Sequence, residues 1–435
     1  MRPGRHANDL QQNEHDNSPM ASVQHVVFLN DHCHVQGGAS RIAIDEAVAV
    51  AELGIDATFL GATGPIGAEL AGSRVRTICL EQPELAAAAT HPAVILQGLW
   101  NAAAGRRMRV LLGGLDPSRT VVHVHGFTKS LTTSPLRAAV RAGFPVVVTL
   151  HDFFTSCPNG NLYNYVTELP CPIRPMSMRC VSTNCDKRRY ADKLYRVGRS
   201  ALQRWPGLLP SGVRHFIGLS RHSVELMRPY LGADAQIHRL ENIIDLTAKR
   251  PVEIRREGTL VFVGRLDPEK GVALLLEAAD RVGESLVFVG DGPLRGAVES
   301  RGRHRVTGWQ SAAQVQAELD GARCLLFPSQ WYETYGLVVS EAAARGVPAI
   351  VADVSAPAER ISNGVSGFVF RSGDVAALAR CLAATTNPVE LARLGRNAYD
   401  AYWSAPPDRA NHTARLLKIY AAVLDGREGH AENAA

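Results

Sequence analysis

Short, unbroken apolar segments alternate with helical segments along this chain, and the pattern occurs twice. The first half includes HVVFL at 25–29 and PVVVTL at 145–150, and the second includes LVFV at both 260–263 and 286–289. Strands covered on both faces have this character, and strand–helix alternation implies a parallel sheet with right-handed crossovers. The sequence therefore predicts two doubly wound α/β domains in tandem.

A polar, Pro-interrupted segment separates the two halves and predicts a linker. Ligands of doubly wound sheets bind beyond the carboxyl ends of the strands, so the active site is expected in the cleft between the domains. The predicted divisions are a disordered tail at 1–21, a first domain at 22–246, a linker at 247–256, a second domain at 257–405, a final helix at 406–425 and a tail at 426–435. Other predicted strands are 57–60, 121–125, 216–219, 324–327 and 349–352, and predicted helices are 41–53, 272–282, 312–320, 337–345 and one from about 221.

Composition excludes several classes of protein. Of the 435 residues, 46% are hydrophobic and 20% are charged, which excludes wholesale disorder. The net charge of +5 suits anionic ligands but lacks the concentrated basic stripe of a nucleic-acid-binding protein. The longest uncharged stretch, 85–105, is too polar for a membrane span, and the N-terminus does not resemble a secretory signal. We therefore expect a cytoplasmic protein without a nucleic-acid partner.

The segment after the first strand of the second half carries the strongest chemical signal. It is GRLDPEKG at 264–271, in which Asp267 is expected to cap a helix and Pro268 to occupy its first position. Arg265 and Lys270 then flank a helix N-terminus, where backbone N–H groups favour anions. A diphosphate fits this arrangement, because Arg can fork onto phosphate oxygens and Lys acts as a point charge. The alternative is a solvated turn with two surface cations.

Two carboxylates lie eight positions apart, at Glu333 and Glu341. Glu333 is predicted on a loop at the carboxyl end of a strand, and Glu341 about two turns into the next helix. Carboxylates accept hydrogen bonds from sugar hydroxyls, and a buried one can hold a vicinal diol. A structural role accounts for Glu333 easily but for Glu341 poorly, because Glu341 lies on an apolar helix. In the turn at 290–294, Gly290 and Gly292 would let the backbone approach a ligand.

In this order, GRLDPEKG, GDGPL and the two spaced carboxylates resemble the motifs of the retaining glycosyltransferases of family 4. The resemblance spans about Val26 to Leu424 and implies the GT-B fold, in which two Rossmann-like domains face each other across a cleft. It implies that Arg265 and Lys270 bind the donor diphosphate, and that the final helix crosses back to the first domain. Glu341 would hold the nucleotide ribose, and Glu333 would contact the transferred sugar.

The first half agrees with this resemblance. GGASR at 37–41 resembles the loop that faces the donor phosphate, and His151-Asp152 resembles a His-Asp pair near the transferred sugar. Strand alternation places His123 and His125 on one face, where a structural role is the more ordinary interpretation. The implied catalytic residues are His151 and Glu333, and the implied donor-binding residues are Gly38, Arg265, Lys270, Gly290, Gly292, Gly336, Leu337 and Glu341.

The function implied is transfer of a hexosyl group from a UDP- or GDP-linked sugar to an acceptor hydroxyl, as in polysaccharide biosynthesis. The acceptor would be a glycan, a polysaccharide or a lipid-linked molecule, and no catalytic metal is required because two cations can stabilise the leaving diphosphate. The alternatives are a UDP-sugar epimerase of the same fold, a phosphorylase carrying pyridoxal phosphate, and an inactive sugar-nucleotide-binding subunit.

Half of the eight cysteines fall in one Pro-rich segment directly after His151-Asp152. Such a segment buries few apolar groups, so a structural zinc ion or an iron–sulfur cluster could order it. The spacing is irregular, and free or redox-active thiols are the alternative. The candidate ligands are Cys157, Cys171, Cys180 and Cys185.

A basic amphipathic stretch at 188–205 has Tyr190, Leu194 and Trp205 on one face at helical spacing. The ordinary interpretation is a surface helix that docks by its apolar side. The alternative is peripheral contact with anionic lipids at the inner face of a membrane.

Overall fold

The computed structural model describes residues 23–84, 91–247 and 250–426. The two predicted tails lie outside the described residues, apart from Gly426. None of the described helices is long and apolar enough to cross a membrane.

The first domain is built on a seven-stranded parallel sheet with the order β3-β2-β1-β4-β5-β8-β9. A separate antiparallel pair, β6 and β7, lies in the cysteine-rich segment. The strands are β1 (His25–His32), β2 (Asp56–Thr63), β3 (Arg76–Cys79), β4 (Thr120–Val124), β5 (Val146–Thr149), β6 (Tyr163–Asn164), β7 (Leu169–Pro170), β8 (His215–Gly218) and β9 (Gln236–Arg239). The helices are α1 (Gly38–Glu52), α2 (Ala68–Ala71), α3 (Pro92–Leu99), α4 (Ala102–Leu112), α5 (Ser134–Arg141), α6 (Met178–Ser182), α7 (Tyr190–Arg204) and α8 (Arg221–Met227).

The second domain has a six-stranded parallel sheet with the order β12-β11-β10-β13-β14-β15. Its strands are β10 (Thr259–Val263), β11 (Leu286–Val289), β12 (Arg305–Gly308), β13 (Ala322–Phe327), β14 (Ala349–Ala352) and β15 (Gly367–Phe370). The helices that follow in this half are α9 (Val272–Val282), α10 (Arg295–Glu299), α11 (Ala312–Asp320), α12 (Leu337–Ala344), α13 (Val375–Ala384), α14 (Pro388–Ser404) and α15 (Arg409–Leu424). The prediction of two doubly wound domains is confirmed.

Each sheet buries both of its faces. Four large apolar clusters of buried side chains lie on the faces of the two sheets, two for each sheet. Burial on both faces explains why the central strands are apolar at every position instead of at alternate ones.

The last helix packs on the first domain although it follows the second in sequence. On α15, Leu416, Leu417 and Tyr420 are buried in the same apolar cluster as residues of α1 and β1. The chain returns beside the segment that joins the two halves, where Ile244 N donates to Pro407 O at 2.9 Å. The chain therefore passes between the two domains twice, in two adjacent backbone segments.

Candidate active site in the interdomain cleft

The loop after β10 places its two cations at the cleft but does not cap a helix as expected. Pro268 begins a 3-10 turn, and α9 starts only at Val272. Asp267 makes no capping hydrogen bond to the described backbone of this turn, so that prediction is wrong. Its carboxylate instead lies 2.5 Å from Arg265 Nη1 and 2.8 Å from Lys187 Nζ of the first domain. Two cations attract this carboxylate more strongly than neutral amides do.

Lys270 and Glu333 meet at the carboxyl ends of β10 and β13. Lys270 Nζ is paired with Glu333 Oε1 and lies 4.9 Å from the centre of the Trp331 ring. Trp331 Nε1 donates to the same oxygen at 2.6 Å, and Ser329 Oγ donates to it at 3.2 Å. Three donors on one carboxylate oxygen hold the Glu333 side chain in a single position.

The loop that carries Glu333 contacts the first domain. Thr334 Oγ1 donates to His151 O at 2.9 Å, which joins the loop after β13 to the end of β5. A second approach of the two domains lies at Gly38, where an added Cβ atom would be 3.6 Å from Leu337 Cδ1. Gly336 has a φ of 75°, and any side chain there would clash with Pro357. Residues predicted from separate motifs therefore lie together at one point of the cleft.

Glu341 lies on α12, about one helical turn after Leu337. Burial raises the pKa of its carboxyl group, and the guanidinium of Arg41 on α1 acts in the opposite direction. None of the described residues donates a hydrogen bond to Glu341. Its oxygens are therefore available to the hydroxyls of a ligand, beside a cation of the opposite domain.

Gly290 and Gly292 meet a steric requirement of the fold, in addition to the predicted approach of a ligand, which stays a prediction. Gly290 has a φ of 141°, and a Cβ atom there would collide with Gly264 O. A Cβ atom on Gly292 would lie 2.8 Å from Leu266 O. The two glycines allow the loops after β10 and β11 to pack together, as shown by the 2.9 Å hydrogen bond from Leu266 N to Asp291 O.

His151 follows β5 by two residues and is half-buried. Burial, followed by the nearby His125, holds the pKa of His151 well below its ordinary value, so the ring is neutral. Its Nε2 atom lies 2.9 Å from His125 Nδ1. His123 and His125 share one face as predicted, with ring centres 4.0 Å apart.

Sequence reasoning missed Glu46, which faces these two histidines from α1. Glu46 is 2% exposed. Its position on α1 could have indicated that it is buried. Ile42 and Val50 lie four residues to either side of it, on the same face of the helix, and both are buried.

The four clustered cysteines are close in sequence, but their sulfur atoms do not converge on one point in the described structure. Within the described parts of the chain, no three of their sulfur atoms lie within 4.8 Å of one another. Cys157 Sγ donates to Asn159 Oδ1 at 3.0 Å, and burial raises the pKa of Cys157 to about 11. A metal on these thiols stays a prediction.

Helix α7 exposes to solvent the apolar face that was predicted to be buried. Tyr190, Leu194 and Trp205 are exposed, and Trp205 is exposed by 81%. The buried side is polar because it packs on loop backbone, whose carbonyl groups need donors. Arg199 Nη1 donates to Thr128 O at 2.6 Å, and Gln203 Nε2 donates to Phe154 O at 3.0 Å. The expectation of a helix docked by its apolar side is therefore wrong.

Comparisons with known proteins agree with this architecture. Residues 37–242 match the family model described as "Glycosyl transferase 4-like domain", and residues 257–387 match "Glycosyl transferases group 1". The glycogen synthase of Mycobacterium tuberculosis is 32% identical over 218 residues, which are 46% of this chain and 51% of the relative. The 2-deoxystreptamine N-acetyl-D-glucosaminyltransferase of Niallia circulans is 33% identical over 139 residues, 29% of this chain and 36% of the relative. The chain thus spans about half or less of the length of these curated relatives.

Solved structures with the same fold cover nearly the whole chain. The sucrose-phosphate synthase of Thermosynechococcus elongatus has a TM-score of 0.67 at 15% identity, over 93% of this chain and 100% of the other. The Anabaena protein HepE, solved in complex with UDP, has a TM-score of 0.58 at 18% identity, over 91% of this chain and 99% of the other. Two family models in tandem, on two facing doubly wound domains, show that the chain belongs to the glycosyltransferases of the GT-B fold.

Proposed function

We propose that the protein is a retaining glycosyltransferase of family 4 that transfers a hexosyl group from a UDP- or GDP-linked sugar to an acceptor hydroxyl. The acceptor we propose is a glycan, a polysaccharide or a lipid-linked molecule. The matching relatives are named for glycosyl transfer, and HepE was solved with UDP, which supports a nucleotide-sugar donor. We also propose that the first domain spans residues 22–246 and the second spans residues 257–405.

One observation carries this proposal. Lys270, after β10, is paired with Glu333, which lies on the loop after β13 whose Thr334 hydroxyl donates to the His151 carbonyl of the first domain. A cation and a carboxylate of the second domain therefore lie near the main chain of His151. A transferred sugar there would have its leaving phosphate near the cation and its hydroxyls near the carboxylate.

The proposed chemistry is mainly electrostatic. The diphosphate gains negative charge as the sugar leaves, and Arg265 and Lys270 would stabilise it by hydrogen bonds worth about 1.5–3 kcal/mol each. Because Lys270 is paired with Glu333, an incoming diphosphate would draw Lys270 away and free Glu333 to accept from the sugar hydroxyls. No catalytic metal is required in this scheme, since the cations supply the positive charge.

The remaining assignments concern the donor and the sugar. Glu341 would accept hydrogen bonds from the ribose diol, which suits its position beside Arg41. Gly38, Gly336 and Leu337 would close on the donor, and His151 would contact the transferred sugar.

A panel of nucleotide sugars tests the donor. A matching donor should raise the melting temperature, because a ligand that binds only the folded state stabilises it. Product analysis with that donor and a mixed pool of sugar and lipid acceptors should then show a new glycosidic product. A free epimerised nucleotide sugar without acceptor would favour the epimerase, and donor binding without turnover would favour an inactive subunit.

The surface of α7 supports peripheral contact with a membrane. Its apolar stripe of Tyr190, Leu194 and Trp205 is exposed, and Arg188 and Arg189 are exposed at its start. Aromatic and aliphatic side chains next to cations suit the boundary of an anionic bilayer.

A further inference from the structure

A buried cluster of titratable side chains lies behind the cleft, where α1, β4 and α15 meet. Glu46, His123 and His125 are 2%, 0% and 4% exposed, and His412 and Tyr420 of α15 border them. A buried carboxylate is costly unless opposite charge compensates it. None of these five side chains is among the catalytic or donor-binding residues proposed above.

Three ligand-type atoms converge within this cluster. His123 Nδ1 and His125 Nε2 lie 3.2 Å apart, and they lie 3.3 and 3.4 Å from Glu46 Oε2. Charge-assisted N–H···O⁻ bonds are shorter, at about 2.7–2.9 Å. Glu46 Oε2 is buried and accepts no hydrogen bond of good geometry from any described residue. The two histidine nitrogens lie within hydrogen-bond distance of each other, but hydrogen bonding leaves the Glu46 oxygen of this triangle without a donor.

A bound metal does account for the triangle. Zinc–nitrogen and zinc–oxygen bonds of about 2.0–2.1 Å in a tetrahedron place neighbouring ligand atoms about 3.3 Å apart. We propose that Glu46, His123 and His125 bind a divalent transition-metal ion of the zinc type. Two imidazoles and a carboxylate form a ligand set that zinc prefers.

The surroundings of the three ligands match those of a metal site. Ligating side chains ordinarily engage their second polar atom in a hydrogen bond that orients them. His123 Nε2 lies 2.7 Å from Thr149 Oγ1, and His125 Nδ1 lies 2.9 Å from His151 Nε2. The second oxygen of Glu46 lies 3.1 Å from His412 Nε2.

Tyr420 of α15 lies at hydrogen-bond distance from one of the three ligands, closer than two zinc ligands stand to each other. Its hydroxyl oxygen lies 2.7 Å from His123 Nδ1, on the side from which α15 covers the cluster. The metal would lie beneath α15, whose Tyr420 and His412 contact two of its ligands, and its burial gives it a structural role. Through His125, it would also orient the ring of His151 at the cleft. This inference does not depend on the proposed function.

Metal analysis of the full chain tests the site. Protein prepared without a histidine tag or chelator, and then incubated with Zn²⁺ and desalted, should hold about one equivalent of zinc. Replacement by Co²⁺ should give the visible absorption of tetrahedral nitrogen and oxygen ligation. A Co²⁺ spectrum with thiolate charge-transfer bands would place the metal on the cysteines and overturn the proposal, as would the absence of bound metal. The spectrum uses the unaltered chain and needs no variant to fold.

Variants then assign the ligands. Glu46→Gln and His125→Gln should each reduce bound zinc by at least about tenfold. The matched control is His238→Gln, because His238 and His215 form a second histidine pair in the same sheet, 3.4 Å apart. Cys185→Ser should retain the metal. Zinc that persists in both cluster variants and is lost from Cys185→Ser would refute the site.

Discussion

At the scale of single residues, the cations of the cleft are each held by acidic neighbours. Arg265 is paired with Asp267, and Lys270 with Glu333. We predict that Arg265→Ala or Lys270→Ala lowers kcat/KM for the donor by at least about tenfold, because each loses a charge-assisted contact of about 1.5–3 kcal/mol. Steady-state kinetics measure this effect. Arg281→Ala is the control, since its exposed pair with Glu277 lies at the far end of α9. Wild-type kinetics in both cleft variants would rule out the phosphate contacts.

The two carboxylates should have separable effects. Glu341→Gln keeps the shape but removes the charge, so the donor KM should rise with kcat little changed. Glu333→Gln should instead lower kcat, because its proposed partner is the reacting sugar. Full kinetics against donor concentration separate the two, with the exposed Glu390→Gln as the control. Equal kinetics in all three variants would remove the carboxylates from the mechanism.

Asp152 should make stability depend on pH. Burial raises the pKa of its carboxyl group to about 6, above the ordinary value of 3.8. Above pH 6 the folded protein holds an unfavourable charge, and as the pH falls towards 4 it takes up a proton before the unfolded chain does. Asp152→Asn should therefore melt higher than the wild type at pH 8, with the difference shrinking towards pH 4.

Thermal unfolding from pH 4 to pH 8 measures this difference. Asp116→Asn is a control of opposite sign, because hydrogen bonds from Ser118 lower the pKa of the exposed Asp116. A difference between Asp152→Asn and the wild type that does not change with pH would contradict the prediction.

At the scale of elements, the central strands were predictable and the edge strands were not. The predicted strands at 286–289 and 349–352 coincide with β11 and β14, because a strand covered on both faces is an unbroken apolar segment. Six strands were missed: β3, β9, β12 and β15 are the edges of the two sheets, and β6 and β7 are the short antiparallel pair in the cysteine-rich segment. The sequences RTIC, QIHR and RVTG mix polar and apolar residues, since an edge strand has one neighbour and more contact with water.

The candidate site was likewise predictable only in part. Motif residues next to strand ends, such as Glu333 and His151, were predictable because topology brings strand ends together. The contacts of Glu46 with α15 were not, since they join residues 366 positions apart in sequence. The orientation of α7 was also missed. Its buried side contacts carbonyl groups of loops, and the spacing of hydrophobic residues along a helix does not predict such contacts.

The exposed stripe of α7 should bind anionic membranes. The wild type should sediment with phosphatidylglycerol vesicles more than with phosphatidylcholine vesicles. Replacing Leu194 and Trp205 together by Ser should weaken binding by at least about tenfold, because each buried apolar side chain contributes about 1.5–3 kcal/mol. Val389→Ser, which alters an exposed apolar residue of the second domain, should bind like the wild type. Equal sedimentation with both vesicle types would exclude this membrane role.

At the scale of the whole molecule, α15 makes the first domain depend on the end of the chain. It closes the apolar cluster over β1 and α1, and it supplies His412 and Tyr420 to the buried group around Glu46. The first domain is therefore incomplete until the last helix has been made. Deletion from residue 405 onward should consequently unfold or aggregate the first domain rather than merely open the cleft.

The size of the effect follows from burial. Leu416, Leu417, Tyr420 and Val423 are at most 6% exposed, and burying each contributes about 1.5–3 kcal/mol. Their loss is comparable to the whole stability of a typical domain, about 5–15 kcal/mol. A chain that ends at Ser404 should thus be insoluble or melt far lower, whereas one that ends at Gly426 should melt like the full protein. Calorimetry of both truncations decides the point, and a soluble, fully active chain ending at Ser404 would show that α15 is dispensable.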